Sequence, residues 1–309
     1  MKRILSVLLT VVMLVSTLAG CAIKAPTDDI LLVTSFYPVY IFTSNIVLGI
    51  EGIDVKCMAE QNVGCLHDYQ ILSRDARLIS DADMFIINGA GMEGFLEDIY
   101  LVEEELTIID SSVNIEVLEN CDEHHENHLH ENEDHHNHNH SVNSHIWVSP
   151  VNAIVQVNNI AERLSEIYPQ YKEQIEKNRA SYTTRLENLH KELTDSAVAL
   201  KNKNIITFHE SFDYLAKEYG FNVVATIQSH EGGEPSAKGL AELTGIIREY
   251  DVSVLFTEPD YKGSAATILC NETGIVLCEL NPVIKGDMSL TSYEDIMRNN
   301  MKKISEVVS

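Results

Sequence analysis

The chain has 309 residues, enough for two domains with full cores, and is strongly acidic: 22 Lys and Arg stand against 47 Asp and Glu, a formal charge of −25. That balance excludes nucleic acid as a natural partner and suits a soluble surface protein that attracts cations. None of the six cysteines forms a CxxC pair, which argues against a thiolate zinc cluster.

Met1-Lys2-Arg3 precedes an unbroken run of apolar and small residues from Ile4 to Gly20, the charged and apolar regions of an export signal. The run is short for a membrane span, and no stop-transfer cluster follows it. Leu18-Ala19-Gly20-Cys21 resembles the bacterial lipobox, so residues 1–20 are expected to be a signal peptide. Cys21 is then the acylated first residue of the mature chain, and residues 21–29 form its tether. The expected location is extracytoplasmic, anchored to the cell membrane by lipid, which takes more than one acyl chain. The five other cysteines leave open a Cys57–Cys65 or a Cys270–Cys278 disulfide.

From residue 30 to 165 short apolar runs alternate with amphipathic ones. Leu31 to Phe36, Ile53 to Met58, Met84 to Ile87 and Leu106 to Ile109 read as strands; Pro38 to Leu48, Asp75 to Ala82 and Glu93 to Tyr100 read as helices. Such alternation predicts βαβ units and an α/β lobe with a parallel sheet. Within it, residues 119–144 have no apolar period. They hold His124, His125, His128, His130, His135, His136, His138 and His140, interleaved with acids, and predict a disordered surface loop.

Tyr168, Tyr171, Ile175, Tyr182, Leu186, Leu189 and Leu193 then recur at helical steps, predicting one long amphipathic linking helix over residues 166–200. About thirty residues at ~1.5 Å each span ~45 Å, a stiff strut that excludes a wide hinge. Residues 201–309 repeat the α/β grammar. Strands are expected at Asn204 to Phe208, Phe221 to Ile227, Val252 to Thr257 and Gly274 to Leu280, and helices at Ser211 to Tyr219, Ser236 to Tyr250 and Gly263 to Thr273. The fold class is α/β: two lobes, each a parallel sheet flanked by helices, joined by one long rigid helix.

Three histidines stand beyond strands. His67 follows the strand ending at Met58, His145 opens the stretch before a helix starting near Pro150, and His209 directly follows Phe208. Ligands of open α/β sheets bind beyond the strands' carboxyl ends, so these imidazoles are expected to converge on one cleft. Nitrogen donors favour zinc over magnesium or calcium. His190 reads as a surface residue of the strut, His230 as an outside candidate near the cleft, and Trp147 as packing beside His145.

The chain resembles the solute-binding proteins of zinc and manganese ABC importers, the ZnuA and TroA type, from about Leu31 to Met301. The motifs are His67-Asp68-Tyr69, Ala82-Asp83 leading to Ile87-Asn88-Gly89-Ala90-Gly91-Met92-Glu93, His145-Ile146-Trp147-Val148-Ser149-Pro150, Thr207-Phe208-His209-Glu210-Ser211-Phe212-Asp213-Tyr214, Glu234-Pro235-Ser236 and Phe256-Thr257-Glu258-Pro259. The resemblance implies that His67, His145 and His209 bind the transported ion, and that an ABC permease and its ATPase are the partners. Manganese-type members tend to carry a carboxylate where His209 stands, so zinc is the implied cargo.

A fourth ligand, usually a carboxylate in a Leu-Asp-Pro stretch or just past its proline, is missing from Leu280-Asn281-Pro282-Val283-Ile284. Asn281 or water is the first expectation, then Asp287, then Glu279. The histidine-rich loop is expected to be an accessory zinc collector. Glu234 and Glu258 read as structural, with Ser236 as a helix N-cap and Glu258 bracing a strand end or a histidine.

An enzyme reading would use an open zinc position with Glu210 as base. It is set aside because Asp213 occupies the place of the second histidine of HExxH. A manganese or iron binder of the same fold, and a surface zinc-binding adhesin or buffer, are the remaining alternatives.

Overall fold

The computed structural model describes residues 29–59, 66, 69–96, 99, 106–119, 142–198, 200, 203–227, 234–259 and 263–308. Cys21, Cys65, His67, Cys121, His230 and all eight histidines of the rich segment lie outside the described residues. So does part of the helix expected at 93–100.

The first lobe contains β1 (Ile30–Thr34), α1 (Tyr37–Ile46), β2 (Ile53–Cys57), α2 (Ser73–Ser80), β3 (Met84–Ile87) and β4 (Thr107–Asp110). Its strands form a parallel sheet in the order β2-β1-β3-β4. Every residue of β3 is buried, as expected of an inner strand covered on both faces. Two short strands, β5 (Leu118–Glu119) and β6 (Val142–Asn143), pair antiparallel and bracket residues 120–141.

The chain then enters α3 (Pro150–Ile167). Its first turn is set by Pro150, and by Ser149, whose hydroxyl accepts from Asn152 N at 3.1 Å. The linking helix is shorter than its periodicity predicts. Tyr168 leaves helical space at φ −120°, Pro169–Tyr171 forms a 3₁₀ turn, and α4 runs Lys172–Val198. Pro169 has no N–H to donate, and its ring bars the residue before it from the helical region, so the apolar period continues across a break. The expected boundary at residue 166 therefore falls inside α3, which packs beside α4. At 27 residues α4 is still about 40 Å long.

The second lobe contains β7 (Asn204–Thr207), α5 (Asp213–Tyr219), β8 (Asn222–Thr226), α6 (Ala237–Glu249), β9 (Val254–Thr257), α7 (Ala265–Thr273) and β10 (Val276–Glu279). Its parallel sheet runs β10-β9-β7-β8. Ser236 caps α6 by accepting from Gly239 N, and the Glu234 carboxylate accepts from Ala265 N at 2.8 Å, capping α7.

A last helix, α8 (Ser292–Val308), is absent from the sequence reading although Tyr293, Met297, Met301, Ile304 and Val308 make a buried helical stripe. It packs beside β10 but is not confined to the second lobe. It packs on α4 and reaches α1, where Tyr293 meets Phe42 at 5.3 Å between ring centroids. The main core is consequently continuous from the first sheet through α3, α4 and α8 to the inner face of the second sheet. A smaller core, including Ile206, Phe208, Leu243, Ile247, Leu255 and Leu269, lies beneath α6 and α7.

Cys57, Cys270 and Cys278 are free thiols, so the Cys270–Cys278 disulfide is not formed; Cys270 stands on α7 and Cys278 is buried within β10. Among the described residues no helix is long and apolar enough to cross a membrane.

Candidate metal centre

In both sheets the strand order reverses beside the first strand, between β1 and β3 and between β7 and β9. That reversal opens a crevice at the carboxyl ends. His209 leaves β7 at this point in the second lobe, and Glu258 leaves β9 beside it. Glu258 Oε1 lies 3.9 Å from His209 Nδ1 and accepts from Ser211 Oγ at 2.7 Å.

His145 sits between β6 and a 3₁₀ turn, Ile146–Val148, and is 2% exposed. Its Nδ1 is 3.0 Å from Asn143 Oδ1 and 3.9 Å from Glu210 Oε1. The rings of His145 and His209 meet edge to face, 5.0 Å between centroids at 80°. One imidazole from each lobe thus faces the other, each with a carboxylate on its Nδ1 side.

The surroundings hold this pair rigidly. Trp147 packs 5.2 Å from His145 and 4.8 Å from Phe36, donates through Nε1 to Pro282 O at 2.6 Å, and accepts from Tyr293 OH at its own carbonyl. Asn88, just past β3, donates to Ser144 O at 3.0 Å and so ties the His145 loop to the first sheet. The turn after Asn88 requires Gly89, at φ +79°, because a Cβ there would run into the Asp110 carboxylate. Glu93 closes that turn by accepting from Asn88 N and Gly89 N, and burial pushes its carboxyl up to about 7 despite those bonds.

Of the three histidines expected to converge, His145 and His209 do so, and His67 is outside the described residues. Among the described residues no three His, Cys, Asp or Glu side chains form a metal-holding group. Asn281, named together with water as the first expectation for the fourth ligand, is bonded within its own loop. Its Oδ1 accepts from Val283 N at 2.9 Å and Ile284 N at 3.3 Å, and its Nδ2 donates to Lys285 O. This Asx turn holds Val283 at φ +61°, a left-handed conformation costly for a β-branched residue. Coordination by Asn281 would compete with the two N–H groups its oxygen already accepts.

Glu279 ends the edge strand β10 and is exposed. Asp287 is exposed too; the backbone N–H of Ser289 binds its Oδ1 and holds the carboxyl below its usual range. His190 is half-exposed, with Nδ1 2.7 Å from Glu218 Oε1.

One functional neighbour, Asn143, escaped sequence reasoning: it touches His145, and no spacing marks it. Asp213, noted in the sequence only as a motif residue, accepts through Oδ2 from Asn143 Nδ2 at 3.3 Å. Burial pushes the Asp213 carboxyl up to about 7. The folded chain then holds a proton that the unfolded chain releases near pH 4. The contribution of Asp213 to stability is therefore fully present below that pH and is lost as pH rises toward about 7, by up to ~1.4 kcal/mol per unit. Asp213→Asn should flatten this decline and raise stability at pH 8 by on the order of 2 kcal/mol, read by urea denaturation across pH. Parallel profiles for the two proteins would refute the assignment.

Residues 32–307 match the profile of ZnuA, the zinc-uptake complex component A, periplasmic. The chain belongs to the ZnuA family. It is 33% identical over 285 residues to the high-affinity zinc uptake system protein ZnuA of Bacillus subtilis, covering 90% of this chain and 88% of that one. To the zinc-binding protein AdcA of Streptococcus pyogenes it is 31% identical over 284 residues, covering 88% of this chain but 55% of AdcA, so it spans about half the length of the streptococcal relative. The crystal structure of the metal-dependent lipoprotein YcdH of Bacillus subtilis superposes with a TM-score of 0.71 at 29% identity, covering 90% of this chain and 99% of that one. The ZnuA assignment agrees with the two parallel sheets and the long central helix.

Proposed function

We propose that this ZnuA-family chain is the extracytoplasmic zinc-capturing component of an ABC importer, taking the ion between its lobes and delivering it to a permease driven by an ATPase. The observation that carries this reading is the facing pair His145 and His209, one from each lobe, at the carboxyl ends of the sheets. Support for zinc comes from the donor type and from the names of the relatives in Bacillus subtilis and Streptococcus pyogenes.

His67 is proposed as the third ligand and water as the fourth, because the Asn281 oxygen is engaged in its turn. Asp287 or Glu279 would have to move in from an exposed position. Membrane attachment is proposed through acylated Cys21, and residues 124–140 as a weak collector of zinc. No catalytic step is assigned.

Titration calorimetry of the signal-free chain tests this. One tight zinc site is expected, with manganese at least about 100-fold weaker, together with weak sites that vanish when residues 119–140 are deleted. A preference for manganese, or no tight site after the deletion, would refute it.

A further inference from the structure

We propose that Asn143 is the positioning residue that fixes which nitrogen of His145 carries the proton, and so sets that ring for metal capture; this rests on reading His145 as a ligand. The orientation of the Asn143 amide is decided by its neighbours. Nδ2 donates to Glu210 O at 2.9 Å and stands 3.3 Å from Asp213 Oδ2, both acceptors. Oδ1 accepts from the backbone N–H of His145 at 3.0 Å. A flipped amide would set oxygen against the Glu210 carbonyl and NH₂ against an N–H.

Oδ1 is therefore the group that faces His145 Nδ1 at 3.0 Å, and it can only accept. The ring proton belongs on Nδ1 and the lone pair on Nε2. This is the usual service of a group behind a metal-binding histidine, here performed by a neutral amide that adds no charge.

Asn143 is itself held from the other lobe. Its carbonyl accepts from Tyr214 OH at 2.7 Å, and the same hydroxyl accepts from Leu118 N at 2.8 Å, bridging β5 and β6. Glu210, Asp213 and Tyr214 all belong to the turn and helix that follow His209. The amide orienting the first-lobe histidine is thus fixed by the segment carrying the second-lobe histidine, and the ring is set only when the two lobes are in register.

The test is long-range ¹H–¹⁵N correlation spectroscopy of the metal-free chain at pH 8, with zinc affinity by chelator competition, for the parent, Asn143→Ala and Asn143→Asp. The parent ring should be protonated on Nδ1. Asn143→Ala should lose that preference and bind zinc about 10–100-fold more weakly. Asn143→Asp keeps the acceptor facing Nδ1 but turns its second oxygen toward the Glu210 carbonyl and the Asp213 carboxylate, so it should restore the Nδ1 proton while recovering only part of the affinity. A parent ring protonated on Nε2 overturns the inference even if neither variant folds. So does affinity within twofold in Asn143→Ala, or equal losses in both variants, which would mark a packing role. Failure of the ligand reading is separate: His145→Ala would then bind zinc as tightly as the parent, and the inference would go with it.

Discussion

Replacing His209 by alanine is expected to weaken zinc binding by at least about a thousandfold, roughly 4 kcal/mol, while the metal-free chain melts within a few degrees of the parent. Loss of a residue behind a ligand costs about 10–100-fold, and loss of the donor itself must cost more. The fold should tolerate the change because His209 lies past the end of β7, where its side chain is 19% exposed and its ring meets His145 edge to face. Chelator competition and calorimetric melting read the two quantities independently. Undiminished zinc affinity would remove the two-lobe pair as the site, whereas a collapse in melting temperature would recast His209 as a packing residue.

Arg185→Met should cost on the order of 2 kcal/mol of stability, because Glu294 is buried but the Arg185 side chain is itself 38% exposed, which screens the pair. Arg185 Nε stands 2.9 Å from Glu294 Oε1, Nη2 donates to Asn45 Oδ1 at 2.6 Å, and the guanidinium lies 4.7 Å over the Tyr182 ring. Glu294 is 4% exposed at the start of α8, and burial already raises its carboxyl above its usual range with the cation in place. Without the cation the folded state would hold that proton more strongly than the unfolded state, so the loss should deepen as pH rises above the ordinary carboxylate range. Adding Glu294→Leu should recover most of the stability, since apolar replacement of both partners leaves no orphaned charge. Urea denaturation of the single and double variants checks this; a loss below about 1 kcal/mol in Arg185→Met would mean that the pair is solvated.

Much of the fold was legible because its signal is local. Met84 to Ile87 is an apolar run of strand length and is strand over those residues. Ser236 is followed by a helix and caps it. Where the reading slipped, a backbone effect outweighed periodicity: the apolar stripe runs on through Tyr168 and Tyr171, but Pro169 cannot join the helix. The stripe of α8 was equally periodic, yet its partners on α4 and α1 are remote in sequence, so its bridging role became visible only in three dimensions.

The site divides in the same way. His145 and His209 are marked by position after strands or before a helix, and Glu258 by its place after β9. Asn143 carries no such mark, because an asparagine beside a loop is ordinary and its meaning lies in Glu210, Asp213 and Tyr214 some seventy residues on. The expectation for Asn281 considered its amide oxygen alone and could not see the two N–H groups already bound to it.

The strut has a consequence for recognition. Because α4 shares one continuous core with both lobes, and Trp147 joins the His145 loop to Pro282 and Tyr293, changing the angle between the lobes would break buried packing and hydrogen bonds. On the proposed reading, a receptor that gauged the angle between lobes would have little to measure. Discrimination would have to be made at the rim of the cleft, from the ordering of a few loops, so that a small local signal separates a delivery from a futile encounter.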